Sequence, residues 1–262
     1  MTRYLRLYLH FLRFSFSRAM EFRFDFTFRI FMDAIWYAVN LAFFAVLYRH
    51  TALLGGWNFD QVLVFAASVF LMDAIYMTVF SNNLWWLPTF VNRGDLDYYL
   101  VRPVSTLFFL SVRDFAANSF VNLLMAVAIL AWALASYPGP LGAASLALYL
   151  GMLAAGAFLH YVLAILFIIP VFWMHSGGGV REIYWSLSAL GMRPHRIYTG
   201  WMRRALMSIL PLAFIVSVPV TVLFEGASWG LLLHSAAVLL GATGFMTWLW
   251  RRGLRAYASA SS

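Results

Sequence analysis

The sequence predicts an all-α polytopic membrane protein: six transmembrane helices in one transmembrane domain, preceded by an amphipathic helix at the membrane interface. Two observations of composition support this. Of 262 residues, 63% are hydrophobic and 11% are charged, where a soluble domain has about 25% charged. The mean hydropathy is +0.80. The third observation is spacing: the gaps between charges are as long as a bilayer-spanning helix, which needs about 20 apolar residues. A soluble globular domain and a disordered chain are excluded. All 18 basic residues are arginine, and cysteine is absent. Disulfides, thiolate metal sites and a cysteine nucleophile are therefore excluded as well.

In residues 1–29, Arg3, Arg6, His10, Arg13 and Ser17 share one narrow helical face, with Tyr4, Tyr8, Leu12 and Ala19 opposite. That pattern is an interfacial amphipathic helix. It serves as a membrane-surface anchor or as an elbow touching a cytoplasmic partner. No continuous apolar core precedes a small-residue cleavage site, so a signal peptide is not expected, and Glu21 and Asp25 count against a transit peptide.

The first span, 30–48, lies between Arg29 and Arg49 and contains only Asp33. Asp33 can pair with Arg29 one turn earlier. The second, 61–81, falls in the run from Asp60 to Arg93, whose one internal charge is Asp73. Residues 115–180 hold no Asp, Glu or Arg, and Pro138-Gly139-Pro140 divides them into spans 115–136 and 141–169. The fifth span, 205–223, lies between Arg204 and Glu225, and the sixth, 228–250, between Glu225 and Arg251. Alternating Phe22, Phe24, Phe26 and Phe28 hint at a strand, but long unbroken apolar runs do not suit barrel strands.

With these spans, 17 of the 18 arginines fall on one side and Arg49 alone on the other. Positive residues concentrate on the cytoplasmic side. Both termini and the segments 82–114 and 170–204 are accordingly expected in the cytoplasm, and the net charge of +8 is topological rather than a nucleic-acid footprint. Nine tryptophans near span ends form the expected aromatic belt.

Few side chains suggest chemistry. Gly177-Gly178-Gly179 is followed by Val180-Arg181-Glu182, and the chain has no lysine. A Walker-type phosphate loop needs a Lys-Ser/Thr pair, so the glycines read as a joint between helices. No two of the six histidines are three or four residues apart, so no helical metal pair is predicted. His160 and His234 lie inside spans, where a hydrogen bond to a neighbouring helix is the ordinary role. Asp73 lies mid-span, where a charge costs about 3 kcal/mol. It either bonds a neighbouring helix or walls a translocation cavity. Ala143, Ala147, Gly151 and Ala155 form a small-residue stripe that permits close helix packing, within or between chains. Pro211 and Pro219 free the carbonyls of Met207 and Ile215, giving the fifth span a static bend or a gate.

The most informative stretch runs from Val91 to Ser105. Gly94, Leu96, Asp97, Leu100, Arg102 and Pro103 resemble, in order and spacing, the intracellular loop of type-2 ABC exporter permeases. A later stretch containing Pro194, Ile197, Tyr198, Trp201, Arg204, Leu210, Pro211, Phe214, Val218 and Pro219 is similar to a signature of the six-span branch of viologen- or daunorubicin-type exporter permeases. The resemblance covers nearly the whole chain. It implies the membrane half of an exporter in the inner membrane of a bacterium. Two permease chains, alike or homologous, would work with two separate ABC ATPase subunits, which hold the ATP and Mg; this chain would need no cofactor. It further implies a cytoplasmic coupling helix docking on the ATPase, here Asn92, Gly94, Asp95, Leu96, Asp97, Tyr98, Tyr99, Leu100, Arg102 and Pro103. Independently, an aromatic-apolar knob with acidic flanks suits an interface, or a helix resting on lipid headgroups.

The expected function is thus transport of an amphiphilic or hydrophobic substrate by a subunit that is not itself an enzyme, with ATPase subunits, a second permease chain and membrane lipids as partners and no nucleic acid. Two rivals are an intramembrane lipid-acting enzyme using Asp73 or His160, and a structural membrane scaffold. An exporter requires an ATPase; the rivals do not.

Overall fold

The computed structural model describes residues 2–19, 23–116, 119–174 and 178–257. Helices dominate, and the described residues contain no strand beyond an isolated bridge between Leu54 and Trp57. In chain order they are α1 (Thr2–Ala19), α2 (Arg23–Leu47), α3 (Phe59–Ile75), α4 (Asn82–Arg93), α5 (Asp97–Leu100), α6 (Thr106–Val112), α7 (Phe120–Ser136), α8 (Ala143–Ile168), α9 (Val171–Met174), α10 (Gly178–Ser188), α11 (Gly200–Ser208), α12 (Ser217–Glu225) and α13 (Trp229–Ala256). Four helical stretches are long and apolar enough to cross a membrane: Thr27–Leu47, Phe59–Arg93, Ala143–Met174 and Trp229–Ala256. Phe120–Ser136 is a shorter apolar helix.

Local chemistry sets several boundaries. Asn58 and Gln61 form a reciprocal capping box that starts α3. A π-helical turn, Tyr76–Ser81, joins α3 to α4 without a break. Gly94 ends α4 with a left-handed backbone (φ 79°) that glycine adopts without steric cost. The Ser228 hydroxyl accepts from the Leu231 amide to start α13.

The core centres on α3, which packs against α2, α7, α8 and α12; α8 also packs against α13 and α10. Val62, Val64, Phe65 and Ala67 are fully buried on α3. By contrast, α2 exposes Phe31, Val39 and Phe43, and α13 exposes Leu233, Leu240 and Phe245. Water would penalise such apolar surfaces; lipid tails do not.

The structure corrects two sequence expectations. First, the predicted fifth span, 205–223, is not one helix. It divides into α11, a 3-10 turn at Leu212–Phe214, and α12. The break falls at Pro211, which has no amide to donate and carries ψ 50°. Second, segment 170–204 does not stay at one end of the bundle. Phe172 packs on Trp250, and a Cβ at Gly253 would meet the Phe172 ring. From there α10 runs back along α8, with Tyr184 bonding the His160 carbonyl. Arg196 then ion-pairs with Glu225 and stacks near Trp57, 5.8 Å from its ring, in the loop after α2. The pass over 178–196 carries Arg181 and Glu182, so no charge-free window revealed it. Segment 200–225 therefore enters the bundle and returns to the same end. Arg193 and Arg196 sit at the end that also holds Arg49, opposite the 94–105 loop.

This arrangement is testable because cysteine is absent. Single cysteines at Arg196 and His50 should react with a membrane-impermeant maleimide from one side, and a cysteine at Asp95 from the other. If Arg196→Cys instead labels with Asp95→Cys, the return path is wrong.

Candidate functional site

The loop after α4 forms a ledge at one end of the bundle. The Leu96 amide returns to the Phe90 carbonyl, and α5 follows at once. Leu96 is fully buried, whereas Tyr98 is 65% and Val101 82% exposed. Asn92, Asp95, Leu100 and Pro103 are exposed, and Gly94, Asp97, Tyr99 and Arg102 are partly covered. Tyr99 points inward: its hydroxyl accepts from the Arg113 guanidinium, which lies 4.6 Å from the Phe90 ring. Arg102 stacks on Tyr98 (4.5 Å) and Phe109 (4.8 Å). Tyr257, just past α13, lies beside Asp97; burial, then that carboxylate, pushes its phenol pKa up. The ten residues named from sequence thus divide between an inner anchor, led by Leu96 and Tyr99, and an outer surface that includes Tyr98 and Leu100; Val101, which was not among the ten, extends that outer surface.

The ledge is tied to the bundle by a polar clasp that sequence reading did not find. Asn83 donates to the Asp114 carbonyl (2.7 Å), and its Oδ1 accepts from the Asp114 amide (2.8 Å). The Ala116 amide bonds the Thr78 carbonyl in the π-helical turn, and the Phe115 amide bonds Ser15 of α1. These bonds satisfy the backbone where α6 stops and α7 has not begun. Replacing Asn83 with leucine removes both bonds to the part-buried Asp114 backbone. The expected loss is about 3 kcal/mol, read as a lower unfolding midpoint in detergent denaturation.

Asp73 lines a small cavity of about 40 Å³ at mid-bundle, with His160, Trp185, Ser188 and Met192 among its walls. His160 stacks on Tyr76 at 4.5 Å, and its buried Nδ1 makes no hydrogen bond. The interhelical bond expected of this histidine therefore does not come from Nδ1. His175 and Gly177 lie outside the described residues. No group of three or more His, Asp or Glu side chains among the described residues could hold a metal.

A larger groove of about 1180 Å³ opens between α8, α13 and the tip of the returning segment, with Phe167, Pro211, Val238 and Phe245 in its wall. Both proline-freed carbonyls meet a neighbour. His234 Nε2–H donates to the Met207 carbonyl at 2.9 Å. The Ile215 carbonyl lies against Gly156, where an added Cβ would stand 2.3 Å from its oxygen. Pro211 therefore shapes the groove wall, while Pro219 lies inside α12. The predicted small stripe is displaced from this contact. Ala143, Ala147 and Gly151 face outward, Ala155 is half-buried, and the close approach occurs at Gly156.

A family model described as "ABC-2 family transporter protein" matches residues 34–261. No curated protein and no solved structure matches.

Proposed function

The chain belongs to the ABC-2 transporter family and is a permease subunit of an ABC transporter; from that premise we propose that it exports an amphiphilic or hydrophobic substrate, driven by separate ATPase subunits. One observation supports this above the others. The ledge presents Tyr98, Leu100 and Val101 outward from a rigid base of buried Leu96 and clasped Tyr99. Apolar anchors displayed on a fixed support are the ordinary build of a docking site. ATP-driven movement of the docked ATPase would push on α5 and, through the Asn83 clasp, on the α3–α4 rod and α7. States that differ in these contacts would be exchanged by hydrolysis.

The groove's apolar walls favour a substrate with alkyl or aromatic surface, and one acid in the interior provides no proton relay. The permease acts as a pair in the bacterial inner membrane, with both termini and the ledge in the cytoplasm. ATP and Mg stay on the partner, since this chain has no lysine for a phosphate loop.

The test is reconstitution. The permease alone should show no ATP turnover above background. Adding the cognate ATPase should give vanadate-sensitive turnover that an exported amphiphile stimulates. Turnover by the lone chain would refute the division of labour, and mass photometry showing a transporting monomer would refute the pair.

A further inference from the structure

A pocket lies between α1 and the segment after α5. It has a volume of about 470 Å³ and is lined by Arg6, His10, Arg102, Leu7, Val104 and Phe109 together with Pro103. The composition is one-sided: two guanidiniums and an imidazole over an apolar floor, with no carboxylate in the lining. Arg6 and His10 are four residues apart on α1, so they project from one face. Arg102 comes from a different element. Its guanidinium lies over the Tyr98 and Phe109 rings, and a guanidinium stacked on aromatic faces keeps its N–H edge for hydrogen-bonding an anion.

The position matters as much as the charge. Phe11 packs edge-on against Phe109 at 5.3 Å, which fixes α1 to the α6 side of the pocket. Leu9 and Phe14 remain exposed beside the cationic face. Exposed apolar side chains beside arginines suit the headgroup level of a bilayer. α1 also precedes the membrane-crossing stretch that begins at Thr27. The pocket therefore stands at the membrane edge of the bundle.

We propose that this pocket binds an anionic phospholipid, with Arg6, His10 and Arg102 around the phosphodiester and Leu7, Val104 and Phe109 against the glycerol and first acyl carbons. Because Arg102 is stacked on the aromatic cluster beneath the ledge, a bound headgroup braces the ledge against α1. The proposal does not depend on the transport reading.

The experiment uses the full chain in detergent, with dioleoyl phosphatidylglycerol or phosphatidylcholine added and retained lipid counted by native mass spectrometry. Wild type should retain the anionic lipid about tenfold better than the zwitterionic one. Arg6→Gln with Arg102→Gln should erase that preference, while Arg251→Gln with Arg252→Gln should keep it. Equal retention of both lipids by wild type, or an unchanged preference in the first double variant, overturns the proposal. A photoactivatable phosphatidylglycerol on wild type decides the matter should the variant misfold: label on peptides containing residues 6–10 or 102–109 supports the site, and label elsewhere alone overturns it. Complete displacement of the lipid by millimolar glycerol phosphate would make this a free-phosphate site and overturn the lipid assignment. Loss of ATPase binding in the first double variant with its lipid preference intact would assign the pocket to the protein partner, and also overturns it.

Discussion

Gly156→Ala should collapse the seat of the returning segment, while Gly151→Ala, on the same helix, should leave the bundle unchanged. At Gly156 the added methyl would stand 2.3 Å from the Ile215 carbonyl oxygen and 3.0 Å from the Ile215 carbonyl carbon. The obstacle is backbone, so no rotamer change relieves it. Either α8 or the tip between α11 and α12 must move. Overpacking costs typically 1–3 kcal/mol, and here it also removes the seat of the Ile215 carbonyl, which lies just before the start of α12. A loss of about 3 kcal/mol or more is expected, with new protease cleavage near residues 209–216. At Gly151 nothing lies within 4 Å of an added Cβ, so the change should stay within about 0.5 kcal/mol. Equal stability of the two variants would show that the segment is not seated on α8.

A second large effect is expected at the ledge. Tyr98→Ala combined with Val101→Ser should leave the permease folded and inserted but weaken ATPase association by roughly 30-fold or more, the equivalent of about 2 kcal/mol for a lost interface anchor. Both side chains are mostly exposed, so their truncation costs the isolated chain little. Leu96→Ala behaves differently. Leu96 is fully buried, and removing a buried leucine costs about 2–5 kcal/mol in folding; its phenotype would confuse misfolding with lost docking. Asp73→Asn is the control, since its cavity lies at mid-bundle and should not touch the ATPase. Co-purification of each variant with the ATPase, alongside gel filtration, separates these cases. If Tyr98→Ala/Val101→Ser binds and transports like wild type, the docking surface lies elsewhere.

Much of the fold was legible because lipid imposes a simple rule. Every backbone amide in a bilayer must be bonded internally, so long uncharged runs become helices. That rule pointed to 30–48, 61–81, 141–169 and 228–250, which overlap the helical stretches Thr27–Leu47, Phe59–Arg93, Ala143–Met174 and Trp229–Ala256. It failed over 170–225. There α10, with Arg181 and Glu182 in its sequence, packs along α8, and Pro211 breaks an apolar run that looked continuous. Apolar content reports what can lie in lipid, not what must cross it.

The candidate site divides along the same line. The composition of the 92–103 loop, with its glycine start, acidic flanks and aromatic centre, was present in the sequence and singled out the ledge. Which of its side chains point outward was not: Leu96 is buried, and Tyr99 turns inward because Phe90 of α4, Phe109 of α6 and Arg113 just past α6 meet it. Likewise, the prolines announced freed carbonyls at Met207 and Ile215, yet only the packed bundle brings His234 to one and Gly156 to the other. The sequence by itself determined the membrane class, the helical content and the unusual chemistry of the loop, because these follow from composition and local bonding. Tertiary structure alone decided the path of residues 178–225, the inner and outer faces of the ledge, and the Asn83 clasp, because each depends on contacts between residues distant along the chain.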